Sequence, residues 1–238
     1  MSTALEIVGW SFWSPETREP TQWPPAAVTK QAASSVPDDA IPAAYRRRMS
    51  KLSKMAVQTA LEATRDARPD FLVFCSQHGE LERTRELLAA LVSRAELSPT
   101  SFSQSVHNAS AGLFTIITAS HAPATSLAAG AGTFAYGWIE SQAMLSAHPD
   151  KLVLLACYDE ELSSEYRPYT RQEPRAYALA LLLRAAASGG IRLEVSEPSG
   201  EESASPLAPL FMAWVLSARP VLALTAGSQG WLWRRMAK

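Results

Sequence analysis

Three short and almost wholly apolar runs constrain the fold of this chain most. They lie at 71–76 (FLVFCS), 151–160 (KLVLLACYDE) and 175–185 (RAYALALLLRA). Runs of this length are typical of strands that are covered on both faces. The segments 43–67 and 80–95 carry their apolar residues at helical spacing instead. This alternation predicts an α/β layered fold with a mostly parallel mixed sheet flanked by helices.

The other segments extend the same alternation. We predict a strand at 4–12, a helix near 108–119, a strand near 123–128 and a buried helix near 130–147. The last three of these predicted elements lie within residues 103–147, a stretch that is rich in Ala, Ser, Thr and Gly. Helices with small side chains can pack backbone to backbone, so we expect this stretch at the centre of the molecule or at an interface.

Proline residues set the limits of the predicted core. Residues 14–42 contain six prolines, which favours an excursion over the surface rather than a helix or a central strand. Residues 196–238 open with a polar loop and then offer a helix, a strand and a basic tail, which we interpret as a C-terminal appendage. The prediction is a single domain, 1–238, with its core at 5–185.

Composition excludes several classes of protein. The chain is 47% hydrophobic and 19% charged, which indicates a folded protein, and its net charge of −1 gives no reason to expect nucleic-acid or anionic-membrane binding. The most apolar late segment, 207–226, contains Pro209, Arg219 and Pro220, so we do not expect it to span a membrane. No signal peptide is evident at the N-terminus, and we expect a cytoplasmic protein.

No common cofactor or metal motif is present. The sequence has no GxGxxG after its first strand, no P-loop and no GxSxG, and its two cysteines form neither a disulfide framework nor a zinc pattern. We therefore predict no cofactor and no metal.

A few side chains could still carry chemistry. Cys75 and His78 lie at the end of one predicted strand. They form a thiolate–imidazole pair, or Cys75 is simply a small buried hydrophobic residue. His107 is either a reactive group or a satisfied interior one. Cys157 precedes three acids at 159–161, which are either acid–base or metal-binding groups or, as is more usual at a strand end, a solvated loop.

The segment SQSVHNASAGLFTIITASHAPATSLAAGAGTFAYGWIESQAML (103–145) resembles the centre of the β-ketoacyl synthases. In that family an Asn-containing helix precedes a dimer-forming strand, which runs into a nucleophilic cysteine and a Gly-rich helix start. The segments RRRMSKLSKMAVQTALEA, FLVFCSQHGE and KLVLLACYDE fall where the family has its preceding helix and neighbouring strands. The resemblance covers about residues 5–185 and implies a truncated thiolase-like fold, the ketosynthase N-terminal half.

The resemblance also implies that this chain has lost its catalytic groups. Matching Gly132 and Gly137 to the family's glycines places the nucleophile position at Ala129, whose methyl group cannot attack a thioester. The family's second half supplies two catalytic histidines, and we expect them to be missing because all four histidines of this sequence lie at or before position 148. No catalytic residue is predicted.

Relatives with such losses are chain-length factors, which form a heterodimer with a catalytic ketosynthase and shape its acyl-chain tunnel. The sequence resembles the short variety associated with bacterial aryl polyene clusters, which implies a role in polyene or fatty-acid-type polyketide biosynthesis. We predict the following residues to line the tunnel or the interface: Phe102, Val106, His107, Asn108, Leu113, Phe114, Ser126 and Phe134.

Two further possibilities remain open at this point. The chain is alternatively an independent acyltransferase or thioesterase-like enzyme that uses Cys75 or a serine, or a homodimeric scaffold. The basic residues Arg46, Arg47, Arg48, Lys51 and Lys54 form either a solvated helix face or a docking patch for an acyl carrier protein.

Overall fold

A single eight-stranded sheet organises the chain. The structure, a computed structural model, describes residues 3–24, 35–170, 172–173 and 175–237. Its strands are β1 (Leu5–Trp13), β2 (Phe71–Cys75), β3 (Ala124–Leu127), β4 (Val153–Asp159), β5 (Tyr177–Ala185), β6 (Ile191–Ser196), β7 (Val221–Ala226) and β8 (Gln229–Arg235). Its α-helices are α1 (Ala43–Arg46), α2 (Lys51–Ala63), α3 (Leu81–Val92), α4 (Pro99–Ser103), α5 (Ala109–Thr118), α6 (Thr133–Ala147) and α7 (Leu207–Val215). The strands lie in the order β3-β2-β4-β5-β1-β6-β8-β7.

The directions of the strands correct one prediction. The layered, mixed α/β fold is confirmed, but only two pairings are parallel, those of β2 with β3 and with β4, and the other five are antiparallel. "Mostly parallel" was therefore wrong. An apolar run indicates that a strand is covered on both faces and says nothing about its direction. The strands β4 and β5 are both buried along most of their length, yet they run antiparallel to each other.

Helices cover both faces of the sheet. Because successive side chains point to opposite faces of a strand, Leu72 and Phe74 of β2 join the core under α2 and α5. Val73 and Cys75 point the other way and join the core under α6 and α7. Small side chains on both elements let α2 lie close to its face of the sheet. These are Ala56 and Ala60 of the helix and Ala156, Ala178 and Ala180 of the strands.

The contact between α6 and the sheet depends on a glycine. A Cβ atom at Gly137 would lie 2.5 Å from Cys75 Sγ and 2.9 Å from a methyl carbon of Leu155, which is closer than side-chain atoms approach each other. The helix therefore packs directly on β2 and β4. This packing fixes the position of the turn that precedes α6, where the sequence analysis placed the nucleophile position.

The C-terminal residues continue the sheet. The segment predicted as a basic tail is the strand β8, which lies between β6 and β7. Its Trp231 and Trp233 are buried, while Arg234 and Arg235 are exposed. Trp233 lies among aromatic rings of α6 and α7, with ring centroids 6.1 Å from Phe134 and 5.7 Å from Phe211.

Two predicted segments differ in detail. The helix predicted at 43–67 is two helices, because the hydroxyl of Ser50 accepts a hydrogen bond from the Ser53 amide and so begins α2 separately. Of the proline-rich excursion 14–42, residues 25–34 lie outside the described part. Before them, Trp23 is buried between Phe12 and Tyr177 and anchors the excursion to β1 and β5.

Candidate functional site

The turn between β3 and α6 contains Ala129, which the resemblance places at the family's nucleophile position. After Leu127 the chain runs Ala-Ala-Gly-Ala-Gly through residues 128–132 and enters α6 at Thr133. Gly130 has a φ of +56°, a left-handed conformation that favours glycine. None of these five residues carries a hydroxyl, thiol, imidazole or carboxyl group. A shift of the alignment by one or two positions within the turn would therefore not supply a nucleophile.

The backbone amide of Ala129 is already satisfied. The amide of Ala129 donates to Thr133 Oγ1 at 2.9 Å, and the Thr133 hydroxyl in turn donates to the Gly130 carbonyl at 2.6 Å. Amide groups before a helix can stabilise a developing oxyanion only when they are free to point at it. The Thr133 side chain occupies the Ala129 amide, so this donor is not available to a substrate.

A second turn, 76–79, lies beside the first and is held by a buried carboxylate. The amide of Ser76 donates to the Leu127 carbonyl at 3.1 Å, which ties the two turns together. Asp159 accepts hydrogen bonds from Ser76 Oγ at 2.8 Å and from the amides of Gln77 and His78, both at 3.1 Å. Burial raises the pKa of Asp159, against the opposing effect of His78 and these donors. The expectation of a solvated acidic loop was wrong for this residue.

The histidine and cysteine candidates do not form a catalytic pair. His107 Nε2 lies 2.9 Å from the Ser76 carbonyl oxygen, and its ring packs against Gly79, so it is a satisfied interior group. Cys75 is fully buried and makes no hydrogen bond to His78 or His107, all three of which lie in the described part. Burial raises the pKa of the Cys75 thiol well above its usual value, which opposes thiolate formation.

The second cysteine is equally inert. Cys157 is buried at the centre of β4, and its Sγ lies 3.4 Å from the hydroxyl oxygen of Tyr177. Burial and the nearby Asp159 raise the pKa of its thiol, against the Tyr177 hydrogen bond. A structural cysteine is the interpretation that fits this environment.

A buried polar cluster that the sequence did not signal lies next to these turns. The carboxylate of Glu80 accepts hydrogen bonds from Ser50 Oγ at 2.8 Å and Ser53 Oγ at 2.6 Å, and it pairs with Arg83 at 3.2 Å. Burial and then the charge of Glu80 raise the pKa of Glu160 to about 7. The cluster joins the beginning of α2 to the beginning of α3, a contact between residues about 30 positions apart that no local pattern reveals.

The predicted tunnel and interface residues separate into three groups. Leu113 and Phe114 are buried in the core under α2 and α5, whereas Phe134 is buried on the opposite face of the sheet. Because the sheet lies between them, these three side chains do not line one pocket within this chain. Phe102 and Val106 are exposed, with relative exposures of 69% and 49%.

The strand β3 presents a free edge with outward-facing backbone groups. It pairs with β2 on one side, and no strand of the described residues lies on its other side. The carbonyls of Pro123 and Leu127 accept hydrogen bonds from the β2 side, and residues alternate along a strand. The amides and carbonyls of Ala124 and Ser126 therefore point away from β2, and both side chains are exposed.

One face of α5 is also exposed. Asn108, Gly112 and Ile116 follow one another at four-residue spacing, and Ile116 is 61% exposed. Apart from the chain neighbours of Gly112 and the backbone of α5, no atom of the described residues lies within 4 Å of the position that a Cβ of Gly112 would occupy. An apolar helix with an open glycine on its surface is ready for close contact with another chain. Ile116 was not among the predicted interface residues, although its spacing from Asn108 signals the shared face.

Two open depressions lie at opposite ends of the sheet. A cleft of about 310 Å³ lies beside the Ala129 turn and is lined by Gln77, Ala131, Tyr169, Thr170, Gln172, Glu202 and Gly227. A groove of about 890 Å³ lies between the ends of α2 and α5, and Leu61, Arg65, Arg68, Phe114, His121 and Ala122 are among its lining residues. Within the described ranges there is no cluster of three or more His, Cys, Asp or Glu side chains suited to a metal, and no helix is long and apolar enough to cross a membrane.

Comparison with protein families identifies the chain. The family model described as "Beta-ketoacyl synthase, N-terminal domain" matches residues 13–234, which is nearly the whole sequence. The chain belongs to the β-ketoacyl synthase family. This confirms the resemblance inferred from the Ala- and Gly-rich segment. No curated protein sequence matches the chain significantly.

Solved structures of ketosynthases show the same fold. A chain from the ketosynthase ApeO in complex with its chain length factor ApeC, from Xenorhabdus doucetiae, is 27% identical and superposes with a TM-score of 0.85. The alignment covers 98% of the chain described here and 99% of the chain from the ApeO–ApeC complex. The ishigamide ketosynthase/chain length factor aligns over 99% and 100% of the two chains, with a TM-score of 0.70 and 14% identity.

A longer relative aligns only in part. A β-ketoacyl synthase from Burkholderia phymatum STM815 gives a TM-score of 0.62 at 12% identity, and the alignment covers 84% of this chain and 66% of that one. At such identities the last two comparisons show the fold alone. Together the three structures confirm the thiolase-like ketosynthase fold that the resemblance implied.

Proposed function

We propose that this β-ketoacyl synthase family member is a non-catalytic, chain-length-factor-like subunit. It pairs with a catalytic ketosynthase and contributes to the tunnel that holds the growing acyl chain during polyene or fatty-acid-type polyketide synthesis. In this role it performs no condensation alone and binds no cofactor or metal. The partner supplies the nucleophile and the histidines.

The observation that carries the proposal is the turn at 128–132. An acyl-enzyme needs a nucleophilic side chain, and this turn offers only methyl groups and hydrogens. The Ala129 amide, which could otherwise polarise a thioester carbonyl, is held by Thr133. The two cysteines are buried with raised thiol pKa values, which argues against an independent acyltransferase or thioesterase that uses Cys75.

The similar structures favour a heterodimeric role. The 27% identical chain comes from a complex of a ketosynthase with its chain length factor and aligns over nearly its full length. The exposed edge of β3 and the exposed face of α5 give this chain a surface suited to such a partner. A free edge strand with outward amides is a template for pairing with another strand. We therefore place the heterodimer contact at Ala124 and Ser126 of β3 and Gly112 and Ile116 of α5.

Co-purification tests the heterodimer. The tagged chain and a catalytic ketosynthase from the same organism are expressed together, and the eluted complex is analysed by light scattering. We expect a stable pair containing one copy of each protein. If the tagged chain elutes as a stable homodimer and leaves the ketosynthase behind, the homodimeric scaffold becomes the better interpretation.

We expect Ala129→Cys to leave the isolated chain inactive in malonyl-carrier decarboxylation and in condensation. The backbone amide of residue 129 would not be free to act as an oxyanion donor, because Thr133 holds it, and His107 is held at the Ser76 carbonyl. Release of CO₂ and extension of an acyl carrier substrate are the measurements. Ala128→Cys is the matched control for adventitious thiol reactivity. Condensation by the lone Ala129→Cys variant would overturn the view that more than the thiol has been lost.

The basic residues of α1 and α2 form a smaller positive patch than the sequence indicated. Arg46 and Lys54 both pair with Asp38, at 3.6 and 3.4 Å. Arg47, Arg48 and Lys51 are exposed, and within the described ranges none of the three forms an ion pair, although the charge of Lys51 acts on Glu160 and opposes the rise of its pKa. A positive patch of this kind suits an acidic protein, and we propose that it contacts the acyl carrier protein.

Charge reversal tests this contact. We expect Arg47→Glu with Arg48→Glu to weaken carrier-protein binding by the assembled pair roughly tenfold at low salt and less at high salt, because exposed charges are screened by ions. Arg65→Glu with Arg68→Glu, an equal charge change at the opposite end of α2, is the control. Equal weakening by both double variants would show a general charge effect and no specific docking patch.

A further inference from the structure

We propose that the groove between the ends of α2 and α5 binds a small amphipathic anion. The apolar part of this ligand lies on Leu61 and Phe114, and its phosphate or carboxylate group pairs with Arg65 and Arg68 at the rim. All the lining residues belong to this chain, and they lie at the opposite end of the sheet from the Ala129 turn. The inference therefore goes beyond the proposed function and does not depend on it.

The groove has the size and the apolar floor of a small-molecule site. Its volume is about 890 Å³, which lies within the range of about 300–1,000 Å³ that is usual for ligand pockets. Phe114 is the only buried residue that lines it, and Leu61 and Ala122 are half-buried and pack against the same core. A ligand that covers these three side chains removes apolar surface from water, which favours binding.

The rim of the groove carries more positive than negative charge. Arg65 and Arg68 are exposed there, and neither guanidinium forms an ion pair or a hydrogen bond with the described part of the chain. Of the two acids that line the groove, Asp70 pairs with Lys151 at 3.4 Å, so only Asp66 offsets the two arginines. Unpaired guanidinium groups suit a phosphate or a carboxylate, which they can bind through two parallel N–H···O bonds.

The ends of the two helices determine how the ligand is oriented. A helix C-terminus carries a partial negative charge, which disfavours an anion beside it, and both α2 and α5 end at this groove. The hydroxyls of Thr64 and Thr118 do not supply free donors there, because they donate to the carbonyls of Ala60 and Phe114 at 2.7 and 2.8 Å. The deep part of the groove therefore suits the apolar end of the ligand, and the anionic group lies at the rim.

The wall that follows α5 supplies further donors. Ser120 Oγ accepts a hydrogen bond from the Ala122 amide at 3.2 Å, and its own proton has no acceptor among the described residues. His121 lies next to it and is exposed. An anion at the rim would then be held from both walls, by guanidinium groups on one side and by a hydroxyl and an imidazole on the other.

The test is calorimetric titration of the full-length chain with octyl phosphate. We expect one ligand per chain and a Kd of about 1 mM or below, the scale for a ligand of this size. Inorganic phosphate lacks the apolar part and octanol lacks the charge, so each should bind at least tenfold more weakly. Octanoate should also bind more tightly than octanol, and its Kd relative to that of octyl phosphate distinguishes a carboxylate ligand from a phosphate ligand.

Removal of the two rim charges tests the role of the arginines. The variant Arg65→Gln with Arg68→Gln should raise the Kd for octyl phosphate at least tenfold and leave thermal unfolding unchanged, because both side chains are exposed. The matched control is Arg94→Gln with Arg219→Gln, which removes the same charge from two exposed arginines that do not line the groove. We expect the control to change the Kd less than twofold.

Proton NMR of the imidazole groups locates the ligand. The chain has four histidines, of which only His121 lines the groove. Octyl phosphate should shift the resonances of His121, which are assigned by their loss in His121→Gln, and leave those of the other three histidines unchanged.

Several results would each contradict the proposal. The absence of saturable binding by the unaltered chain, or equal weakening by the two double variants, would show that the groove is not an anion site. Binding of inorganic phosphate or of octanol as tightly as octyl phosphate would show that the ligand is not recognised as an amphipathic anion. None of these results bears on the heterodimer, so the proposed function stands or fails separately.

Discussion

We expect Ser126→Pro to weaken the heterodimer strongly while leaving the isolated chain folded. The amide of Ser126 points away from β2, so proline removes no hydrogen bond inside the sheet. At an interface between edge strands, the same change removes a donor and places a ring against the partner strand. A loss of about 3 kcal/mol, or roughly 100-fold in Kd, is the order of magnitude for such a change.

The measurement is titration of the ketosynthase with the variant, together with circular dichroism of the variant alone. Ser126→Ala is the matched control, because it alters the side chain and keeps the amide, and we expect its Kd to stay within about threefold of the wild type. Unchanged binding by Ser126→Pro, in a chain that is still folded, would exclude β3 from the interface. Thr125→Pro should behave differently, since its amide faces β2 and its loss should destabilise the isolated sheet.

The second large effect is a difference in stability between variants of two phenylalanines, Phe114 and Phe102, both of which the sequence analysis proposed for the tunnel. We expect Phe114→Ala to lower the free energy of unfolding by about 3–5 kcal/mol, because the side chain is 1% exposed and packs on Phe74 with ring centroids 5.7 Å apart. Phe102→Ala should change that free energy by less than about 0.5 kcal/mol, since Phe102 is 69% exposed. The measurement is urea unfolding of each isolated variant.

The length of the acyl product is the second property in which the Phe102 and Phe114 variants are compared. In the assembled pair, Phe102→Ala should lengthen the acyl product if the exposed ring limits the tunnel, whereas a change caused by Phe114→Ala would be confounded by loss of fold. Val106→Ala is the companion variant, because Val106 is also exposed and follows Phe102 by four residues. If neither exposed variant alters the product distribution, the tunnel role fails and a purely stabilising role for this subunit remains.

The sequence predicted the positions of most helices and strands because apolar periodicity is a local property. It did not predict the direction of β5, since a strand covered on both faces looks the same in either direction. The strand β6 and the strand β8 were missed as sheet members, although Ile191 and Leu193, and likewise Trp231 and Trp233, alternate with partly or fully exposed residues. That two-residue period was the available signal.

The candidate site was predictable in one respect and not in others. Matching Gly132 and Gly137 to the glycines of the β-ketoacyl synthases indicated the turn that contains Ala129. The burial of Asp159 was not predictable, because its partner Ser76 lies 83 positions away in the sequence. Nor could the sequence show that Phe114 and Phe134 lie on opposite faces of the sheet, since helical periodicity gives an apolar face but not the layer in which the helix lies.

The most direct test of the central claim is a condensation assay with three preparations: the catalytic ketosynthase alone, this chain alone, and the purified pair. Each preparation receives an acyl carrier primer and malonyl-carrier protein, and product formation is followed by mass spectrometry. We predict extension by the pair, an altered product length or a much lower rate with the ketosynthase alone, and none with this chain alone. Turnover by this chain alone, blocked by iodoacetamide, would contradict the assignment of a non-catalytic subunit.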